Sequence, residues 1–236
     1  MGQKTLTAWF DEEAPIIRFH NGSFMANNYF VNPNRANYLP YNSDYINGWI
    51  WDNTDITKES QKEEKRRDSI QYNLIQKLIA EGTYDIIFDD DSSGEAADVV
   101  TIRAADEKIY VQFYHCKYSH GSSPGARVSD LYEVCGQAQK SIRWKDDIYA
   151  LLKHLERREG VRLRNGRPSR FELGEFKKLN ELKKMAKFFP FHLSIFIVQP
   201  GLSKAAVSPE QLEILSATDN YLRETYNIVL QVISSN

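Results

Sequence analysis

The stretch Asp89-Asp-Asp-Ser-Ser-Gly-Glu-Ala-Ala-Asp98, followed by Ile109-Tyr-Val-Gln-Phe-Tyr-His-Cys-Lys-Tyr-Ser119, decides how the rest of the chain is read. Its first part sets five acidic residues within ten positions around Gly94 and runs into the apolar Val99-Val100-Thr101-Ile102. Its second part is an aromatic and β-branched run, the signature of a strand. Successive side chains of a strand point to opposite faces. Phe113, His115 and Lys117 therefore share one face, and Tyr114, Cys116 and Tyr118 the other. A lysine near the end of a buried strand, beside a histidine and downstream of an aspartate, is not what packing alone selects.

Working outward, Tyr84-Asp-Ile-Ile-Phe88 reads as a short strand, so strand, acidic turn, strand, turn (Ala104 to Lys108) and strand form an antiparallel meander. Before it, Thr57 to Glu81 reads as one helix, with Ile70, Leu74, Ile75, Leu78 and Ile79 as its apolar stripe and Gly82 as its stop. After it, Ser119 to Arg127 is a Gly/Ser/Pro loop, and Ser129 or Asp130 caps a helix running to about Trp144. Asp147 to Glu159 is a second amphipathic helix, and Glu175 to Lys187 a Lys-rich third. His192 to Val198 is a strand, Ser208-Pro209-Glu210 opens a helix to about Glu224, and Ile228 to Ile233 is a last strand. Strand, helix, strand at the end fits a crossover unit. The expected fold is α/β: a mixed central sheet flanked by helices, with a small β-rich N-terminal extension. The expected domains are residues 1–56, rich in aromatics, and 57–236.

Within the extension, Ile16-Ile17-Arg18-Phe19, His20-Asn21-Gly22-Ser23 and a second aromatic run make a hairpin signal. Its aromatics, among them Trp9, Phe10, Phe19, Phe24, Tyr29, Phe30, Tyr38, Tyr41, Tyr45, Trp49 and Trp51, are read first as a small core and second as a surface for stacking bases.

Composition narrows the classes. Hydrophobic residues make up 42% of the 236, enough for a substantial core. No apolar run approaches the ~18 residues of a membrane span, and the start lacks a secretory pattern, so a cytoplasmic protein is expected. Two cysteines, Cys116 and Cys135, are too few for a disulfide framework or a structural zinc site, and their spacing with His115 fits no zinc pattern. Gly94 belongs to no P-loop. A net charge of −2 is not that of an obligate nucleic-acid coat. Yet residues 153–170 hold seven Lys/Arg against Glu156 and Glu159, with Arg162, Arg164, Arg167 and Arg170 crowding a Gly-Pro loop. A phosphate-binding patch and a solvated loop are both open readings.

An Asp entering one strand, a hairpin, and then a short motif ending in Lys on the next strand resembles the core of the PD-(D/E)xK nuclease superfamily. The acid-rich Gly turn and the His115-Cys116-Lys117 ending are closest to Mrr-type restriction nucleases, and the likeness covers roughly residues 60–145. More loosely, the chain resembles nuclease modules of bacterial helicase-containing defence proteins. The resemblance implies a restriction-endonuclease-like fold and a deoxyribonuclease, an endonuclease in a restriction or antiviral defence setting. It puts Asp98 at the metal-binding place and Lys117 at the catalytic lysine, and leaves His115 where that family has Glu, Gln or Asp.

Phosphodiester hydrolysis needs an activated water and charge relief on the phosphate, which Mg²⁺ or Mn²⁺ supplies through hard oxygen ligands. Asp98, Glu95 and Asp91 are the expected metal ligands, and Asp98, His115, Lys117 and Glu95 the expected catalytic residues. Lys117, if partly desolvated, would have a lowered pKa. His115 has three readings: a metal ligand, a group positioning water in place of Gln, or the mark of a site that binds without cutting. Gln137, Arg127, Lys140, Arg162, Arg164 and Arg167 are the expected nucleic-acid contacts, with Gln137 favoured over Gln139. Glu59 or Glu63 is either an acid of the site or a solvated helix charge. The expected partners are DNA, with RNA left open, a helicase or ATPase partner or fused domain, and a second copy of the chain.

Overall fold

A computed structural model describes residues 4–12, 14–19, 23–31 and 40–236. The chain forms two compact units, residues 1–40 and 41–236.

In the smaller unit, a short helix α1 (Leu6–Glu12) precedes three antiparallel strands, β1 (Ile16–Arg18), β2 (Phe24–Ala26) and β3 (Tyr29–Val31), paired in that order. The β1–β2 hairpin is the expected one, and Phe19 N–H donates to the Ser23 carbonyl at 2.8 Å. The Asn21-Gly22 turn, like Tyr38, lies outside the described residues. Among the described residues of this unit the expected aromatic core does not form. Trp9, Phe10, Phe19, Tyr29 and Phe30 are exposed, and four of them meet as pairs, Trp9 with Phe10 and Phe19 edge-on to Phe30. Strands of three residues bury too little area for a core of their own.

The larger unit is a seven-stranded mixed sheet in the order β4-β10-β9-β7-β6-β5-β8. The meander is as expected: β5 (Ile86–Asp89), β6 (Val99–Ala105) and β7 (Lys108–Cys116) are antiparallel neighbours. β9 (Phe191–Ser203) lies parallel to β7, and β10 (Leu230–Ser235) parallel to β9. Two short edge strands are additions to the expected set. β4 (Ile46–Trp49), which falls within the expected N-terminal region, pairs in parallel with β10. Tyr41 donates to the Leu230 carbonyl and Trp51 to that of Ser234, so the aromatics from Tyr41 onward belong to this unit. β8 (Phe171–Leu173) closes the other edge against β5. Gly174 after it has φ +83°, and a Cβ there would meet the Asp85 carbonyl at 2.6 Å, so only glycine fits.

The period of two along the strands sorts the core into faces. Ile87, Val99, Tyr114, Cys116, Val198 and Ile233 pack against helix α2 (Ile70–Glu81). Their neighbours point the other way. Phe88, Val100 and Phe113 meet α4 (Ile148–Arg164) and α5 (Phe176–Met185), while Ile195, Ile197 and Val232 meet α3 (Ser129–Ser141) and α6 (Pro209–Tyr226). Helix α6 begins with a capping box between Ser208 and Gln211.

Three boundaries differ from expectation. Helix α2 spans 70–81 and not 57–81, because Ser69 caps it through Tyr72 N–H and Lys62 and Lys65 take left-handed backbone (φ 54° and 55°), which ends any helix. Residues 55–69 form instead a loop closed by Lys58, whose ammonium pairs with Asp55 and Asp68. Helix α3 starts with no side-chain cap at Val128, since Asp130 is engaged by the preceding loop. Helix α4 runs to Arg164, so Arg162 and Arg164 lie in its last turn and not in the loop.

Candidate functional site

The acidic turn is held in shape from both sides. Asp90, fully buried, accepts from Ala96 N–H at 2.7 Å, lies 3.3 Å from His154 Nε2 and pairs with Arg158 Nε. Arg158 also donates to the carbonyls of Asp90 and Ser93, and Arg170 to those of Asp89 and Asp91. Asp89 is buried and accepts from Gln61 at 2.8 Å and Gln71 at 3.0 Å. Burial raises its pKa against the Gln61 hydrogen bond. Of the five acids, then, Asp89 and Asp90 serve the scaffold.

The other three converge. Carboxylate oxygens of Asp91, Glu95 and Asp98 lie within 4.8 Å of one another, the one such group of three metal-ligating side chains among the described residues. Asp98 is buried where β6 begins, and Cys116 N–H of β7 donates to its Oδ2 at 2.8 Å. Burial first, and then the Glu95 charge, push the Asp98 carboxyl well above the usual range. Burial, with Asp91 and Asp90 beyond, raises Glu95 in the same direction. Glu95 Oε2 accepts from Ser92 N–H at 2.9 Å, and Ser60 donates to Asp91 Oδ2. Acids that raise one another's pKa in a small volume form an oxygen-rich site that a divalent cation would neutralise.

Strand alternation places His115 and Lys117 as expected, on the α3 side. His115 is buried, neither ring nitrogen has a hydrogen-bond partner, and burial, with Lys140 nearby, lowers its pKa to about 3. It lines a pocket of about 20 Å³ with Glu95, Ala96, Gln137, Lys140 and Arg143, a volume that admits a water molecule. Gln137 Oε1 is likewise buried and unpartnered, whereas Gln139 is spent on Thr218 at 3.0 Å.

Lys117 departs from expectation. Its ammonium lies 2.7 Å from Glu133 Oε2 of α3 and 3.3 Å from Glu59 Oε2, and 4.5 Å above the Tyr118 ring. Burial pulls its pKa down, but hydrogen bonds and charge from Glu133 and Glu59 outweigh it, and the net shift is upward. Lys117 is a held ammonium, not the weakened base expected from desolvation.

Glu59 is the residue that sequence reasoning underweights. It also accepts from Tyr118 N–H at 3.0 Å. With Ser60 on Asp91 and Gln61 on Asp89, three consecutive residues of the 55–69 loop touch three parts of the site. The sequence signal is an acid before the meander, masked by the surrounding run of helix-like charge. Glu63 pairs instead with Arg162 and Arg167.

The expected nucleic-acid residues divide. Lys140 and Gln137 stand at the His115 pocket. Arg127 is occupied, donating to Asp130, Ser119 and the Ser123 carbonyl, and so orders its own loop. Arg162 and Arg167 line a second pocket, together with Arg157, Arg158, Arg170 and Ser92, and Arg164 does not. The acidic turn thus contributes Ser92 to one pocket and Glu95 and Ala96 to the other.

No protein-family model matches the chain, and neither does any curated protein or solved structure. Among the described residues no helix is long and apolar enough to cross a membrane.

Proposed function

We propose that the chain is a metal-dependent nuclease of the PD-(D/E)xK type, hydrolysing DNA phosphodiester bonds as an endonuclease in a bacterial restriction or defence setting. The observation that carries this reading is the meeting of Asp91, Glu95 and Asp98 within 4.8 Å, at the end of the strand pair whose other member bears His115 and Lys117. Three carboxylates are hard oxygen donors and suit Mg²⁺ or Mn²⁺. When bound, such an ion would lower the pKa of a water and neutralise phosphate oxygens.

The chain's own residues divide the remaining work. The Cys116 N–H fixes the orientation of Asp98. His115, neutral at physiological pH, offers one ring nitrogen as acceptor and the other as donor, and with Gln137 can align a water in the small pocket. As the water attacks phosphorus its proton passes to solvent, the P–O bond to the leaving strand breaks, and negative charge grows on the phosphate and leaving oxygens. The Lys117 ammonium, protonated well above neutral pH, meets that charge as an electrostatic partner or proton donor. Glu59 and Glu133 hold it until substrate competes for it.

One specific observation favours a second reading, in which the fold binds nucleic acid or a helicase or ATPase partner without cutting. Lys117 is already paired with two carboxylates, and a neutral imidazole stands where the resembled family has Glu, Gln or Asp. The deciding measurement is cleavage of supercoiled plasmid and labelled single strands with Mg²⁺ or Mn²⁺, comparing wild type with Lys117→Ala. Cutting that disappears in the variant and with chelator supports the nuclease. Cutting that persists in the variant moves the chemistry elsewhere, and DNA binding with no cutting by either protein selects the second reading.

A further inference from the structure

The arginines at the end of α4 and in the loop after it line a pocket of about 340 Å³. Five arginines line it, Arg157, Arg158, Arg162, Arg167 and Arg170. The carboxylates paired with them are Asp90 on Arg158 and a single Glu63 shared by Arg162 and Arg167, at 3.8 and 3.3 Å. A helix C-terminus favours cations only within its last turn. That accounts for Arg162 and Arg164, but not for Arg157, nearly two turns earlier, nor for Arg167 and Arg170 beyond the helix end. Arg170 is more than nine-tenths buried, yet its Nε–H has no partner. Burial, and after it the Arg158 charge, lower its pKa, against the opposing charges of Asp90 and Asp89. In a chain of net charge −2, the pocket is a local excess of positive charge.

We infer that this pocket seats backbone phosphates of the nucleic-acid strand adjacent to the phosphate being cut, an inference that rests on nucleic acid being the substrate proposed above. Guanidinium groups match phosphate oxygens with paired N–H donors, which lysine cannot do. The pocket joins the acidic turn through one residue. Ser92 Oγ accepts from Arg158 Nη2 at 2.7 Å and from Arg170 Nη2 at 3.1 Å, while Ser92 N–H donates to Glu95 Oε2 at 2.9 Å. Ser92 holds φ 150°, a backbone setting few non-glycine residues adopt, under these three bonds. A strand gripped in the pocket is thereby held in a fixed register to the three acids. Arg158 and Arg170 are positioning residues for the turn; Arg157, exposed, meets the strand, and Arg167, also exposed, does so by exchanging its Glu63 partner for a phosphate.

The test is fluorescence anisotropy of a labelled oligonucleotide on the full chain with EDTA present, so that binding is read without cutting. Arg157→Gln with Arg167→Gln should weaken binding about tenfold and lower the slope of log K against log salt by between about one and two, near 0.7–0.9 for each phosphate no longer neutralised. The Lys pair at the same positions should regain part of the affinity. Arg164→Gln, also exposed but outside the pocket, should change neither quantity. If the Gln pair melts below the assay temperature, Arg157→Gln alone, with about half the change in slope, decides. Unchanged binding and slope in a folded pocket variant overturn the inference, and so does an equal loss in Arg164→Gln, which would mean diffuse charge. Pocket-dependent binding without metal-dependent cutting would sink the nuclease reading and leave the pocket standing. Cutting by a protein whose binding ignores the pocket would do the reverse.

Discussion

The two halves of the large sheet are built on the same alternation but carry different loads. On the parallel side, the strands β9, β10 and β4 bury no ionisable side chain, and their inward positions are filled by residues such as Ile195, Ile197, Leu230, Val232 and Ile46. On the antiparallel side, β5, β6 and β7 end in buried Asp89, Asp90, Asp98, His115 and Lys117. Burying ionisable groups costs free energy unless each is paired or shifted to its neutral form. Asp90 is paired, Lys117 is paired, and Asp98 and His115 are pushed toward neutrality. The antiparallel half therefore concentrates cost at the site, and the apolar packing of both halves offsets it. The site stands at the seam, where β7 has an antiparallel neighbour on one side and a parallel one on the other.

The contrast between the halves is tested most severely at Asp98. Asp98→Asn should abolish metal-dependent cleavage, falling by several orders of magnitude, yet should melt higher than wild type in chelator. The sign follows from the raised carboxyl: a folded pKa above the unfolded value makes stability fall as pH rises through that window, a loss the neutral amide escapes. Thermal unfolding near pH 7 should show a gain of a few degrees, about 2–4 °C per kcal/mol. Mg²⁺ should raise the melting point of wild type only. A variant no more stable than wild type would show that burial of Asp98 carries no cost.

On the parallel side the pattern should reverse. Leu230→Ala should lose about 2–5 kcal/mol in urea unfolding through lost burial and the cavity left behind. Per folded molecule, its metal affinity should be unchanged. A loss of metal affinity there would mean that the halves are not separable.

His115 allows a finer cut. With a folded pKa near 3, against 6.5 for the free side chain, the unfolded chain binds the extra proton between those values. Wild type should therefore lose stability as pH falls below about 6.5, and at pH 4 should have lost on the order of 3 kcal/mol more than His115→Gln. Parallel pH profiles for the two proteins would mean that His115 is solvated. The smallest effect belongs to the scaffold: Ser208→Ala, which removes half of the α6 capping box, should lower stability by about 1 kcal/mol without altering binding or cleavage.

Much of the fold was legible because it depends on local periodicity. The meander followed from alternation in 84–118, and the face shared by Phe113, His115 and Lys117 followed from the same rule. The short edges were not legible: Phe171–Leu173 and Ile46–Trp49 have too few residues to show a period, and partner strands far along the chain made them strands. The false extension of α2 has a similar cause. A run of charged helix-formers between 57 and 67 satisfies propensity, while the bonds that bend it, from Lys58 to Asp68 and from Ile70 N–H to the Lys58 carbonyl, appear only once the loop closes.

The candidate site divides along the same line. Spacing alone brought Asp98, Glu95 and Asp91 into one turn and set His115 and Lys117 on one strand face, because neighbours in sequence and period-two neighbours are close in any fold of that stretch. What each group does was settled by residues distant in the chain. Glu59 and Glu133 keep Lys117 charged, Gln61 and Gln71 commit Asp89 to the scaffold, and Arg158 and Arg170 clamp the acidic turn from a helix and loop 68 and 81 residues away. Backbone geometry and alternation act over a few residues and can be read from the chain. Burial and charge act through space, so the protonation of these groups and the pairing of the arginines were decided only when the sheet brought its ends together.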